Sequence, residues 1–206
     1  LYYNGSSGNC YSGENNATTA CDFTITGLKT NLKNLVGNTL WNTGTNGTNS
    51  YTSASNGLAS HFYSYERSSN NGKICTSGDY CNDTVTRTTT WNGKIGLMYQ
   101  SDYGYATSRG TSMNRASCLA KELYSWDDAS DCYNNDWLFD SSASQWTISP
   151  NASSSYADGV FSVGYIGFVY GTNNPLSVRP SVYLIPSASI LGGEGTESNP
   201  YILSGN

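Results

Sequence analysis

The chain has 206 residues and a formal net charge of −5, and charged residues make up only 12% of the total. This length suits one domain with a real core, and without a Lys/Arg cluster the chain has no electrostatic footprint for nucleic acid or an anionic membrane, so both are excluded as partners. Aromatic residues reach 13%, with 17 tyrosines against 5 phenylalanines, so much aromatic surface is expected to stay near water.

The six cysteines lie in three close pairs along the chain. Nearest-neighbour disulfides are the simplest pairing. A zinc site is the competing interpretation, but there is no Cys-x-x-Cys run and only one histidine, His61, whereas structural zinc needs clustered Cys and His ligands. Disulfides predict an oxidising compartment, and therefore a secreted or surface-exposed protein. The predicted bridges are Cys10–Cys21, Cys75–Cys81 and Cys118–Cys132.

The first part of the chain predicts one helix after an irregular entry. Residues 1–27 are rich in Gly, Asn, Ser and Tyr, and this entry is expected to be pinned by the first disulfide. Between Thr26 and Gly37, apolar residues recur at helical spacing, and these two residues suit the N-cap and the C′ position. The run 58–68 fits either a strand or a short helix.

The middle of the chain predicts a strand followed by a second helix. Apolar residues around two glycines predict a buried strand that starts near Thr90 and ends at Ser101. The helix is predicted over 115–126, where apolar residues line one side and Asn114 or Ser112 is available as the cap.

The best-organised stretch, 146–185, predicts a hairpin and the last core strand. Over 160–171, β-branched and aromatic residues are interrupted by glycines, which is typical of two strands joined by a tight turn with Gly at positive φ. Residues 178–185 predict a third strand, with Pro180 at its start or at a bulge because proline cannot donate a ladder hydrogen bond. Shorter strands are predicted at 136–139, at 145–149 and at the end of 189–203.

Two helices, short strands and long loops predict an α+β fold in which small antiparallel sheets pack against helices. We expect a single extracellular domain over 1–206. The large share of loops favours either disorder or functional loops, and the predicted disulfides and the many tyrosines favour functional loops. The sequence shows no signal peptide and no membrane-length apolar run. We therefore expect a mature or trimmed ectodomain that meets a membrane only through a missing N-terminal anchor.

Two loops beside the hairpin, 150–159 and 171–177, are almost without charge and are built from Asn, Ser, Tyr, Gly and Thr. Such side chains favour binding loops, because rigid aromatic and short hydrogen-bonding groups lose little entropy on ordering. Flat rings beside amide groups can dock a sugar or a protein surface. Alternatively, the rings fill the inner face of the hairpin. The aromatic candidates are Tyr156, Tyr165, Phe168 and Tyr170.

The residue inventory gives little support to catalysis. His61 is the only histidine and no Gly-x-Ser-x-Gly elbow occurs, so a catalytic triad is nearly excluded, and we expect His61 to pack or to form hydrogen bonds. A glycosidase needs only two carboxylates at the right separation, and Glu66, Asp102, Asp136 and Asp140 adjoin aromatic residues. The alternative, which we favour, is that these carboxylates hold loops through hydrogen bonds and ion pairs.

A calcium site is a weaker hypothesis for the acidic run before Cys132. Asp127, Asp128 and Asp131 gather there, but the glycine and the terminal glutamate of the twelve-residue calcium loop are missing. We therefore expect no cofactor.

Several runs resemble surface proteins of gut Firmicutes and related bacteria. Many of these proteins look like type IV pilin or pseudopilin-type polypeptides with an N-terminal membrane helix and an uncharacterised ectodomain. The likeness extends from about Leu28 onward, although the family more often has proline at the position of Gln100. The runs that carry it include YSYERS, LMYQSDYGYAT, RASCLAKELY, VRPSVYL and GTESNPY.

The order of elements also resembles a C-type-lectin-like fold of the formylglycine-generating-enzyme type, the scaffold of variable proteins of diversity-generating retroelements. In those proteins the hypervariable positions lie in the C-terminal third and favour Asn, Tyr, Ser, Asp and Gly. The oxidase activity of the enzyme relatives depends on a reactive cysteine pair late in the chain, and no cysteine follows Cys132, so we expect no enzyme activity. With the loop composition, this resemblance implies ligand contacts at Asn151, Ser153, Ser154, Tyr156, Tyr165, Phe168, Tyr170, Thr172 and Asn173.

The leading hypothesis is a secreted or surface-displayed binding domain whose C-terminal loops contact a protein or a glycan on another cell or a phage. The second hypothesis is a pilin-like subunit that contacts copies of itself in an extracellular filament. The third is a carbohydrate-active enzyme with paired carboxylates.

Overall fold

The chain forms helices and small sheets in two compact units. The first unit comprises Leu1–Cys21, Asn42–Trp91 and Leu97–Arg179, and the second comprises Asp22–Trp41, Asn92–Gly96 and Pro180–Asn206. Two compact units can belong to one domain, so the single domain predicted from the sequence stays a prediction. The computed structural model describes residues 2–4, 9–11, 19–20, 30–42, 57–66, 90–108, 112–150, 157–169, 176–196 and 198–205.

Groups of helices and groups of strands follow one another along the described residues, and the strands pair mainly antiparallel, which confirms the α+β class. The helices are α1 Thr30–Lys33, α2 Ala59–Glu66, α3 Gln100–Ala106, α4 Arg115–Leu119, a 3-10 helix at Leu123–Asp128, and α5 Ser130–Tyr133. The strands are β1 Tyr2–Asn4, β2 Asn9–Tyr11, β3 Thr19–Ala20, β4 Thr39–Asn42, β5 Thr90–Gly93, β6 Ile95–Leu97, β7 Gln145–Pro150, β8 Ala157–Val160, β9 Ile166–Val169, β10 Leu176–Ser177, β11 Pro180–Val182, β12 Ala188–Gly192 and β13 Ile202–Gly205.

The main sheet of the first unit has seven strands in the order β3-β2-β1-β10-β7-β8-β9. Its neighbours are antiparallel except β10 and β7, which run parallel. The predicted hairpin is confirmed as β8 and β9, which are joined by the turn 161–165. Gly164 in this turn has φ of +95°, so the prediction of a turn with Gly at positive φ is confirmed. The first strand begins at Ala157, before the predicted start at residue 160.

The core of the first unit lies between β8 and β9 and the helices α2 and α3. Val160 and Ile166, which are paired across the hairpin, are buried there with Phe62 of α2. The rings of Tyr103 and Trp126 lie 5.4 Å apart at its centre. Aromatic packing therefore supplies a large part of this small core.

Two helices differ from their predictions. The prediction of one helix over 115–126 is wrong, because α4 ends at Leu119 and a 3-10 helix begins at Leu123. The amide of Leu123 donates to the carbonyl of Gly57 at 2.8 Å, a partner outside the helix. The predicted cap is confirmed, since the side chain of Asn114 accepts from the amide of Ser117 at 2.9 Å.

The strand predicted to end at Ser101 is also wrong in its last part. The chain forms β5 and β6 and then enters α3 at Gln100. The carboxylate of Asp102 accepts from the amide of Tyr99 at 2.9 Å, which satisfies an amide at the start of the helix that would otherwise lack a partner.

Three further predictions have mixed outcomes. The run 58–68, which fitted either a strand or a helix, contains α2. Of the helix predicted from Thr26 to Gly37, only the turn α1 is seen among the described residues. The strand predicted at 136–139 is a turn, because Asp136 Oδ1 accepts from the amide of Leu138 at 2.8 Å and folds the main chain back.

The second unit is built from short strands around Trp41. The indole of Trp41 donates to the carbonyl of Gly93 at 3.0 Å, and its ring lies 4.7 Å from the ring of Tyr183. β12 and β13 form an antiparallel hairpin, while β4 pairs with β5 and β6 with β11. The last strand of the predicted stretch begins at Pro180, as expected.

The disulfide between Cys118 and Cys132 is confirmed, with Cα atoms 5.5 Å apart. Both residues are fully buried in the core of the first unit, so the bridge ties α4 to α5. Cys21, Cys75 and Cys81 and the side chain of Cys10 lie outside the described residues, and the bridges Cys10–Cys21 and Cys75–Cys81 stay predictions.

Candidate binding surface

The β8–β9 hairpin carries the attachment points of both predicted binding loops. Its register pairs Ala157 with Val169, the outer ends of the two strands. The loop before β8 and the loop after β9 therefore leave the sheet at neighbouring positions, because residues paired across two strands lie about 5 Å apart. We call this the open end of the hairpin.

The two described members of the predicted contact residues lie at different ends of the hairpin. Tyr165 is the last residue of the turn, so the four residues of β9 separate it from the open end by about 13 Å. Phe168 lies on β9 close to the open end, where its main chain is paired with Asp158. The remaining predicted contacts lie outside the described residues: Asn151, Ser153, Ser154, Tyr156, Tyr170, Thr172 and Asn173.

The rings of Phe161 and Tyr165 form a stacked pair beside the turn of the hairpin. Their centroids lie 4.7 Å apart and their planes differ by 8°. A Cβ atom on Gly167 would lie 2.8 Å from Tyr165 Cε2 and 2.9 Å from Phe161 Cε2, so both rings cover the main chain of Gly167. Tyr165 also packs against the core cluster of the first unit. The stacked pair therefore lies at the margin of the core, and both residues remain partly exposed.

The turn 161–165 is anchored to α3 by one buried hydroxyl. Tyr103 Oη donates to the carbonyl of Gly164 at 2.7 Å, and Gly164 also packs against the ring of Tyr133. Within the turn, the amide of Phe161 donates to the carbonyl of Tyr165 at 2.8 Å. The position of the Tyr165 ring thus depends on the contact between Tyr103 and Gly164.

A row of buried polar groups fastens β8 to its neighbours. The carboxylate of Asp158, fully buried, accepts a hydrogen bond from Gln100 Nε2 of α3, and Thr147 Oγ1 donates to the carbonyl of Asp158 at 2.7 Å. Buried polar groups keep their hydrogen bonds because losing one is costly. The hairpin is therefore held firmly on its core side.

Asp136 is a buried carboxyl beside the anchor of the turn. Burial raises its pKa from 3.8 to about 8, although the amide of Leu138 and the positive charge of Arg179 lower it. Burial, and after it the charge of Asp136, raises the pKa of the Tyr103 hydroxyl. Asp136 therefore favours its protonated form in the folded protein at neutral pH.

The carboxylates considered for catalysis each accept a hydrogen bond from a main-chain amide. Glu66 Oε1 accepts from Ser101 at 3.1 Å and Asp140 Oδ1 from Ser142 at 2.9 Å, while Asp102 and Asp136 serve the amides of Tyr99 and Leu138. The side-chain hydroxyl of Ser142, and after it the amide, lowers the pKa of Asp140. These contacts favour the interpretation that the acids hold local structure.

The acidic run considered for calcium is spread over the surface. Asp131 Oδ2 accepts from the amide of Ser112 at 2.8 Å and from its hydroxyl at 3.0 Å, whereas Asp127 and Asp128 are exposed. Within the described ranges, no group of three potential metal ligands comes together. His61 lies partly buried on α2.

Sequence reasoning missed the roles of two residues. The sequence predicts Asp158 in the loop 150–159, whereas it lies on β8, and it predicts Trp137 only as part of a short strand. The Trp137 side chain is largely exposed, and it lies on the segment between Tyr133 and Phe139, whose rings are 4.9 Å apart. Since Tyr133 also packs against Gly164, Trp137 adds an exposed ring to the segment that supports the turn.

The β12–β13 hairpin exposes several apolar side chains. Ile190 and Leu191 are consecutive residues of β12, and 60% and 68% of their surfaces are accessible. The register shifts between Ile190 and Gly192, which leaves Leu191 as an extra residue at a bulge. Tyr201 and Ile202 on the partner side are also exposed. This hairpin is therefore a second candidate surface for contacts.

No protein-family model matches the chain, and it has no significant match among curated proteins or solved structures. None of the helices in the described ranges has the length and apolar character that crossing a membrane requires.

Proposed function

We propose that this protein is a secreted or surface-displayed, non-enzymatic binding domain that contacts a protein or a glycan on another cell or a phage. The observation that carries the proposal is the pairing of Ala157 with Val169, which brings the attachment points of two uncharged, Tyr/Asn/Ser-rich loops together. The core side of the hairpin is fixed by Val160, Ile166 and Asp158. A rigid strand pair that presents adaptable loops is a common design for binding proteins.

The resemblances noted in the sequence refine this proposal. The protein has a C-type-lectin-like scaffold, and its loop positions are those that vary among proteins of diversity-generating retroelements. Support comes from the α+β architecture and from the location of both loops in the C-terminal third. A near-copy of the coding segment for the last third beside a reverse-transcriptase gene, differing from it at adenines, is the genomic observation that would support diversification.

Replacing the loop tyrosines is expected to remove binding without loss of stability. In Tyr156→Ala and Tyr170→Ala, binding of the labelled chain to a glycan array and to intact bacterial cells should fall at least tenfold, because central aromatic contacts each contribute about 2 kcal/mol or more. The melting temperature should stay unchanged. Tyr165→Ala should in addition lower the free energy of unfolding by about 1–2 kcal/mol, since its ring stacks on Phe161 and covers Gly167.

The matched control is Tyr201→Ala, because Tyr201 is an exposed tyrosine of the second unit and should leave binding unchanged. Binding that survives both loop substitutions would contradict the proposed surface. A melting temperature that falls in Tyr156→Ala or Tyr170→Ala would place those rings in the core instead.

The exposed β12–β13 hairpin favours a second candidate function, a structural subunit that contacts copies of itself in an extracellular filament. If this is correct, sedimentation velocity should show association that grows with protein concentration. Leu191→Glu should abolish the association without changing the melting temperature, because a charge in an apolar interface must be desolvated. Tyr63→Glu, at an exposed aromatic residue of the first unit, serves as the control. A wild-type chain that stays monomeric at all concentrations would contradict this candidate.

A further inference from the structure

Asp136 combines deep burial with an incomplete set of partners. Only 5% of its surface is accessible. Its Oδ1 atom accepts from the amide of Leu138 at 2.8 Å, and the amide of Phe139 also lowers its pKa, whereas Oδ2, also buried, has no hydrogen-bond partner among the described residues. These amides compensate only in part for the lost hydration of an ionised carboxylate, so the neutral form is favoured.

The charged and titratable groups around Asp136 do not reverse this preference. Tyr103 approaches from α3, and Tyr133 lies on α5. Arg179 favours the ionised form, but its Nε atom donates to Gln145 Oε1 at 2.5 Å and its Nη2 atom lies 4.0 Å from Asp140 Oδ2. The guanidinium is therefore directed toward Gln145 and Asp140, and it offsets only part of the rise in pKa that burial causes in Asp136.

Asp136 is joined to one of the two supports of the hairpin turn, because its amide donates to the carbonyl of Tyr133 at 3.0 Å. At the other support, the hydroxyl of Tyr103, whose pKa is raised by burial and then by the charge of Asp136, donates to the carbonyl of Gly164 at 2.7 Å. The ring of Tyr133 packs on the other atoms of Gly164. A negative charge at Asp136 would draw water or a rearranged side chain into the contact that holds the turn.

We propose that Asp136 is a pH-dependent latch on the turn 161–165, closed while its carboxyl is protonated and released when the proton leaves to solvent. The proposal goes beyond the proposed function, because the turn lies at the end of the hairpin opposite to the two loops. Opening of the turn is a property of the protein without ligand, so it can be tested whether or not the loops bind anything.

The sign of the pH effect follows from the two states of the carboxyl. In the open state the carboxyl is hydrated and has its ordinary pKa of 3.8, and in the closed state the pKa is about 8. The open state therefore binds fewer protons between these values, and opening becomes about tenfold more favourable per unit of pH across this window. Below this window the opening equilibrium stays at its lowest value, and above it the equilibrium stays at its highest value.

Amide hydrogen exchange on the full chain tests the latch. The amides of Phe161 and Gly164, both hydrogen-bonded within the turn, should lose protection about tenfold per pH unit between about 5 and 8 and then level off. In Asp136→Asn, which keeps an acceptor for the amide of Leu138, protection should not change with pH. Arg179→Gln should move the upper limit of the window to higher pH, because it removes the positive charge.

Two controls make the outcome decisive. Asp140→Asn removes a neighbouring acid that is partly exposed and should retain the pH dependence. The amide of Ile148, bonded to Met98 in the same unit, should be better protected than the turn amides. Equal protection at both places would show that the turn opens only when the unit unfolds, and would overturn the latch, as would an unchanged pH dependence in Asp136→Asn.

A direct titration covers the case in which Asp136→Asn does not fold. The carboxyl carbon of Asp136 in the wild-type chain, followed by carbon NMR, should titrate near pH 8. A midpoint near the ordinary value of 3.8 would overturn the proposal without any variant. Neither measurement involves a ligand, so a failed latch and a failed binding function are distinguishable.

Discussion

Trp126→Ala is expected to lower the free energy of unfolding by about 3–5 kcal/mol, which is the usual loss when a buried tryptophan is truncated. Trp126 has no accessible surface, and its ring lies 5.4 Å from that of Tyr103 at the centre of the core. Trp126 belongs to the same buried cluster as the disulfide between Cys118 and Cys132. Urea unfolding followed by circular dichroism measures the loss.

Trp126→Phe is the matched control for this substitution. The indole Nε1 atom is buried and has no hydrogen-bond partner among the described residues, so its removal costs no hydrogen bond. Phenylalanine retains most of the apolar contact and should lose less than half as much stability as alanine. If both variants lose equal stability, the indole nitrogen makes a contact on which the fold depends.

Gly164→Ala is expected to lower the free energy of unfolding by about 2–5 kcal/mol, from a strained backbone and an overpacked turn together. Gly164 has φ of +95°, where a side chain is unfavourable, and an added Cβ would meet the ring of Tyr133. The turn would have to shift, and with it the carbonyl that accepts from Tyr103. Amide hydrogen exchange of the residues beside Gly164 should become faster, and the urea concentration at the midpoint of unfolding should fall.

Gly192→Ala gives the corresponding control. Its φ is not in the left-handed region, and the nearest atom to an added Cβ is Ile202 Cδ1 at 3.9 Å. This substitution should change stability by less than about 0.5 kcal/mol. A Gly164→Ala variant as stable as Gly192→Ala would mean that the turn adopts another conformation.

Local signals in the sequence predicted some elements well. Asn114 was recognisable as a cap because the oxygen of its side chain can reach an amide three residues away. The β8–β9 hairpin was recognisable because glycines interrupt a run of apolar residues. The start of α3 was missed although Asp102 stands three residues after Tyr99, which is half of a capping box. The break after α4 could not be predicted, because the amide of Leu123 bonds to Gly57, a residue distant in sequence.

The candidate surface was predictable in composition but not in arrangement. The uncharged loops stand out in the sequence, and strand pairing places their attachment points together. Tyr165 was grouped with these loops because it is near them in sequence, yet the hairpin places it at the opposite end. The roles of Asp136 and Asp158 depend on burial by α3 and its neighbours, and no spacing of residues within the sequence reveals such contacts.

The pairing of β1 with β10 joins Tyr2 to Ser177. During synthesis, the main sheet therefore cannot be completed until the ribosome has released nearly the entire first unit. Pairings of such long range slow folding, and the edge of β1 stays open to other chains in the meantime. A nascent chain of this protein should consequently depend on a holding factor until residue 177 emerges, whereas the β8–β9 hairpin can form as soon as its own residues are free.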